Sequence, residues 1–380
     1  MRGAYDNRKR ATVGFATALH GGGLFAFGGA DSAGTLSGDL WFGALDAGEP
    51  LGGGMTFEKV AGGGGQSASA GAGSSTTVAT SSVSATSSTS ATSKSTCNLA
   101  CWKKSNPPTT SRLALAKLIA PAKAKWLAKT ASKKATATAP AKTLLAPSFA
   151  SGSATPQADS VTAYSPPWWT LTIFYGDTGT MPTASAPVEL ALFDLQTDTW
   201  TVGQVDWNET SGNRRNVGYV MTGPGQAVFF GGEAGGQALD GLYTVDLDPG
   251  TLLSGVAPQR LDGASQQAPA PRTHAALGFD SRVGSQGAVY LMGGINSTGQ
   301  RMADLWVFAL DSGQWRQLSD GTEPGAPPPM VAAGVVVSTL DSSVLVYPGT
   351  AGPDPRWGYR FVEEQGWQVL DYPDAAAVQH

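Results

Sequence analysis

Apolar residues in this chain come in short runs that stop at glycine and give way to polar loops. "GLFAFGG" (23–29), "QAVFFGG" (226–232) and "GAVYLMGG" (287–294) are three copies of one such run. Each is followed by a polar loop and then by "DLWFGAL" (39–45), "GLYTVDL" (241–247) or "DLWVFAL" (304–310). Runs this short, bounded by Gly, Asn and Asp, predict strands rather than helices. Ahead of them stand "RATVGFATAL" (10–19), "RRNVGYVMT" (214–222) and "RTHAALGFD" (272–280), and behind them "MTFEKV", "PQRL" and "RQLSD". Every complete unit therefore predicts four antiparallel strands, a to d.

Two further units are worn. One has "WTLTIFYGD" as strand b and "LALFDLQTDTW" as strand c; the other has "SSVLVYPGT" and then "WGYRFVEEQGWQVL". The strand-b ends fall near residues 28, 175, 231, 293 and 348, so successive gaps are 147, 56, 62 and 55. Four of the five units keep a period near 57, and one gap holds extra chain.

A lone four-stranded sheet with both faces apolar cannot hide them, whereas sheets packed face to face around an axis bury both faces and protect most edges. The double glycine suits a strand that runs close to other backbone and then turns hard, where positive φ and the absence of Cβ are needed. These units resemble kelch repeats, on Gly28-Gly29, Gly231-Gly232 and Gly293-Gly294 at the end of strand b. The aromatics Trp41, Tyr243 and Trp306 in strand c, and Trp200 and Trp315 after it, carry the rest of the likeness. The resemblance implies an all-β, kelch-type β-propeller with about five four-stranded blades. Kelch propellers commonly have six or seven, so five units leave ring closure open. The expected organisation is blade 1 at 8–60, an insert at 61–158, and blades 2 to 5 at 159–210, 211–264, 265–325 and 326–374.

Composition changes this picture at one place. The net charge of the chain is −4, but residues 61–158 contain 11 Lys or Arg and no Asp or Glu, leaving 14 basic and 29 acidic residues elsewhere. A Ser/Thr/Ala-rich tract followed by a Lys/Ala/Pro-rich one has too little apolar surface to offset ordering entropy, so a disordered insert is expected. Its lysines suit an acidic partner, nucleic acid or an anionic membrane, against the plainer reading of a soluble spacer. Within it Ser111 could cap a turn with Leu115, Leu118 and Ile119 on one side, which Pro121 would end. Elsewhere, 50 glycines and only 14% charged residues agree with turns and strands.

Chemistry is sparse. Cys97 and Cys101 lie four apart in the insert, and the histidines are His20, His274 and His380, so no metal-ligand spacing exists and no cofactor is expected. The resemblance extends to galactose oxidases, whose copper site needs histidines, tyrosines and a crosslinked cysteine; this chain would be a degenerate relative without one. No nucleophile elbow, phosphate loop or zinc-helix motif occurs. His274 reads as a packed or capping residue, and the chain as non-enzymatic.

The b–c loops share one rim with the d–a connections. Loop residues Asp31, Glu233 and Asn296, with Arg10, Arg215 and Arg272 opening strand a and Arg301 in a loop, form the candidate partner-binding set. The plainer alternative is that the arginines pair with Asp39, Asp240 and Asp304 of their own blades. The resemblance implies protein–protein binding as adaptor or scaffold. A secreted glycan-binding propeller is the alternative, prompted by the sequons "NET" (208–210) and "NST" (296–298). No apolar run of about 18 residues is present and the start lacks an apolar core behind its charges, which favours a cytoplasmic protein.

Overall fold

The computed structural model describes residues 16–20, 23–31, 33–44, 57–62, 99–105, 149–208, 210–263, 265, 267–331, 334–347 and 357–371. They form an all-β propeller of five blades, each a four-stranded antiparallel sheet in simple a-b-c-d order. Blade 1 comprises Ala16–His20, Gly23–Phe27, Leu40–Ala44 and Phe57–Ala61, and blade 2 comprises Val161–Ser165, Thr170–Phe174, Val188–Asp194 and Thr199–Val205. Blade 3 is Gly218–Gly223, Gln226–Phe230, Leu242–Asp246 and Gln259–Arg260. Blade 4 is Ala276–Asp280, Ala288–Met292, Leu305–Ala309 and Gln314–Ser319, and blade 5 is Gly334–Val337, Val344–Tyr347, Trp357–Val362 and Gly366–Asp371.

Strand b of blade 4 shows why such runs are apolar throughout. Alternate side chains point to opposite faces. Ala288, Tyr290 and Met292 enter the core shared with blade 5, and Val289 and Leu291 enter the core shared with blade 3. In blades 2 to 5 the aromatic of strand c, and the Trp of strand d where there is one, pack backwards, onto the preceding blade. Trp306 and Trp315 face blade 3 with Phe230, Tyr243 stacks on Phe229 towards blade 2, and Phe193 and Trp200 face Phe27 of blade 1. Four such cores join blades 1 to 5 in succession. Among the described residues none joins blade 5 to blade 1. The outward face of blade 5 leaves Val336 52% and Tyr347 36% exposed.

The double glycine is a seam between blades. The second glycine's N–H donates to a backbone carbonyl of the next blade: Gly29 to Gln157 (2.9 Å), Gly232 to Arg272 (2.9 Å) and Gly294 to Met330 (3.0 Å). A Cβ on Gly28 or Gly231 would stand 2.1 or 2.2 Å from that same carbonyl oxygen, and both have positive φ. Blade 2 departs as its sequence does. Tyr175 takes the first glycine's place at φ 58°, wholly buried and hydrogen-bonded to Ser211 at 2.6 Å.

Two pieces of the tract 61–158 are ordered on the propeller, which the composition gave no reason to expect. Helix α1, Leu99–Ser105, buries Leu99 in the core between blades 1 and 2. Its first N–H groups are satisfied in part by Glu58, which accepts from Leu99 N at 2.5 Å, and Lys103 pairs with Asp198 at 2.8 Å. Phe149–Ser151 adds a fifth strand to the outer edge of blade 2. Residues 63–98 and 106–148, with Cys97, Ser111 and the segment after it, lie outside the described residues. Blade 3 carries one more unexpected element, helix α2 (Pro249–Leu253), capped by Asp248, whose carboxylate accepts from Thr251 N.

Candidate functional site

The b–c loops and d–a connections do gather at one rim. In blades 1 and 4 these loops are one structure built twice. Asp31 accepts from the N–H groups of Ala33 and Thr35, both at 2.9 Å, and Asn296 from those of Thr298 and Gln300, both at 3.0 Å. Gly34 and Gly299 then turn the chain at φ 80° and 79°. Both acceptors are committed to their own loop, which explains why short Asx side chains stand there.

Where strand a begins, three consecutive blades repeat a strained residue. Asp159, Asn216 and His274 hold φ of 47°, 56° and 52°, each two residues ahead of strand a. Asn, Asp and His tolerate this left-handed region better than other non-glycine residues, and such clusters favour functional sites. The polar groups around them interlock between blades 2 and 3. The Arg215 guanidinium donates to Asp177 of blade 2 at 2.8 Å and to Glu233 of its own blade at 2.9 Å, and Asn216 Nδ2 donates to Glu233 at 3.0 Å. All three charged side chains keep part of their surface in water.

Asp159 and His274 face each other closely enough to interact. Asp159 is open to solvent yet ringed by protein. Loss of hydration pushes its carboxyl up, opposed by His274 and reinforced by Asp177. Burial lowers the His274 imidazole, opposed by Asp159 and Glu233. Its Nδ1 lies 2.9 Å from the Thr273 hydroxyl. The recess therefore holds one protonatable base, an uncommonly weak carboxylate and a pinned Arg–carboxylate trio.

The expected set of partner-facing residues is only partly assembled here. Arg272 is 0% exposed and cannot meet a partner. It forms a bidentate pair with Asp304 (2.6 and 2.8 Å) and donates to the carbonyls of Gly293 and Ala270, while Asp304 also accepts from the Trp306 indole. Pairing with its own blade's aspartate holds there. Among the described residues, Asp240 binds Arg260 at 3.2 Å and Asp39 binds Lys59 at 2.8 Å. Arg301 and Asn296 lie on the loop surface, and Arg10 is outside the described residues. Arg215 of that set stands in a mixed-charge patch. Asp159, Asp177, Asn216 and His274 belong to it, and their common position before strand a, or just after strand b for Asp177, was the signal that could have found them.

Among the described residues no group of three His, Cys, Asp or Glu side chains is placed to hold a metal ion, and no helix is long and apolar enough to cross a membrane.

Five four-stranded sheets fanned about one axis define the molecule as a β-propeller. Residues 283–322, running from the a–b turn of blade 4 past its strand d, match the Kelch motif. That match covers one blade of the five, and the other four repeat its a-b-c-d strand order. No curated protein matches it in sequence.

Proposed function

We propose that the protein is a non-catalytic scaffold that binds another protein through the b–c rim. The observation that carries this reading is the half-exposed network of Arg215, Asp177, Glu233, Asp159 and His274 beside three left-handed backbone positions. Rigid blades hold these groups in place without using up their hydrogen-bonding capacity, which suits recognition of a polar, mixed-charge surface. Asp31, Asn296 and Arg301 extend the same rim outward. Kelch propellers bind proteins in general, which supports the coarse reading.

The test reverses the charges within the network. Arg215→Glu and Glu233→Arg, singly and together, are compared with Arg316→Glu on the opposite rim, using quantitative affinity capture from cells and circular dichroism to check folding. The expected result is a shared set of bound proteins lost with either b–c rim variant and kept with Arg316→Glu. Equal retention by all variants would overturn the assignment of this face.

A further inference from the structure

At the opposite rim, where the a–b and c–d turns lie, blades 4 and 5 part to leave a cleft of about 670 Å³. Its floor includes Tyr290, Val307 and Val362, and its lip carries Asp341, Glu363 and Glu364. Two latches set its width. Arg316 of blade 4 grips Glu363 of blade 5 at 2.6 and 3.2 Å, and Arg282 donates to the carbonyls of Ser338 and Thr339. Tyr290 is only 8% exposed, lines the cleft, and its hydroxyl makes no hydrogen bond among the described residues. Burial, with Asp280 and Glu363 nearby, keeps that hydroxyl protonated. Asp341 in turn accepts from Arg360 at 2.5 Å, so at the lip three carboxylates meet two arginines, and the cleft offers an apolar bed, an unused hydroxyl and a lip with a net negative charge centred on Glu364.

The same chain carries the complementary chemistry. Residues 106–148 contain seven lysines and one arginine, no acidic residue, and apolar side chains interspersed in "KLIAPAKAKWLAK" (117–129). The tract leaves the fold at the same rim as the cleft, because Lys103 of α1 is paired with Asp198 in the c–d turn of blade 2. Its 43 residues could extend about 140 Å, or about 70 Å out and back, beyond the roughly 50 Å width of a globule this size. Tethering of this kind presents a segment at an effective concentration of about a millimolar.

We propose that the cleft between blades 4 and 5 is the docking site for the basic tract of the same chain, residues 106–148. A lysine stem lies over Val307 and Val362, its ammonium sits among Asp341, Glu363 and Glu364, and the Tyr290 hydroxyl accepts one of its hydrogen bonds. The site is independent of the b–c rim and would occupy the cleft without obstructing that rim.

Zero-length carbodiimide coupling of the full chain, followed by peptide mass spectrometry on a mixture of light and isotope-labelled protein, tests this. The expected result is amide links from Asp341, Glu363 or Glu364 to lysines 117–134 within one copy, beside the Lys103–Asp198 link as internal control for folding. Reversing the exposed Glu364 to Lys should cut the links to Asp341 and Glu363 about tenfold, for a loss of one attraction and gain of one repulsion, and leave the control unchanged. Tyr290→Phe should lower them by a smaller factor. Links scattered over the acidic surface, links only between light and heavy copies, immunity to Glu364→Lys, or the control link alone would each overturn the proposal.

Discussion

Replacing Arg272 by alanine strands a charge inside the seam between blades 3 and 4. The guanidinium is fully buried and makes four hydrogen bonds, two of them to Asp304 and the others to the carbonyls of Gly293 and Ala270. After truncation, Asp304, itself 9% exposed, would keep only the Trp306 indole among these partners. Removing one member of a buried ion pair costs about 3–5 kcal/mol, because the other charge is left without compensation. For a protein of this size that is a drop in melting temperature of roughly 10 °C. The chain itself contains a comparison. In blade 2 the position of Arg272 is held by Gln157 and that of Asp304 by Glu189, whose carboxylate accepts instead from the Thr155 N–H and hydroxyl, so a carboxylate there without the arginine needs other donors. Arg272→Gln combined with Asp304→Asn should therefore recover about half or more of the loss seen in Arg272→Ala. The measurement is chemical denaturation followed by tryptophan fluorescence for both singles and the double. An Arg272→Ala variant within about 1 kcal/mol of the parent, or a double variant no better than the sum of its singles, would refute the reasoning.

Three other outcomes follow from the same structure. Gly231→Ala should cost at least about 2 kcal/mol, through left-handed φ and a Cβ 2.2 Å from the Arg272 carbonyl oxygen, whereas Gly235→Ala, with positive φ but open space, should cost only about 1 kcal/mol; equal losses by denaturation would disprove the seam. Leu99→Ala should loosen α1 from its core and make trypsin cleavage after Lys103 and Lys104 about tenfold faster or more, with the propeller's melting unchanged; unchanged proteolysis would show that Leu99 does not hold the helix. His274 is lowered in the fold, so the unfolded chain binds more protons there: stability is kept above the ordinary value near 6.5 and falls as pH drops from that value through the folded one. Asp159 works in the opposite sense, raised in the fold, so its contribution is lost as pH rises from its ordinary value, 3.8, through the folded one. His274→Gln should flatten the first slope in pH-dependent denaturation, and an unaltered slope would remove His274 as its source.

The sequence by itself determined the blades. Runs such as "AVYLM" read as strands buried on both faces, and the repeats set their order. These are local patterns, repeated often enough to remove ambiguity. Only the packed structure shows that the aromatic in strand c and the Trp of strand d face the preceding blade. Tertiary structure decided what each repeated position meets. Arg214 and Arg272 occupy the same place two residues before the left-handed residue and both are buried, each donating to the first glycine's carbonyl of its own blade, while Arg215, one place further on, bridges two blades at the surface. Likewise the glycine pairs announce a tight turn, yet the carbonyl that excludes a Cβ belongs to the next repeat, some forty residues or more away. Leu99 and Phe149 were hidden in a polar, repetitive tract, since a single apolar residue has no period to betray it. The recess around Asp159 and His274 exists only once blades 2, 3 and 4 stand side by side.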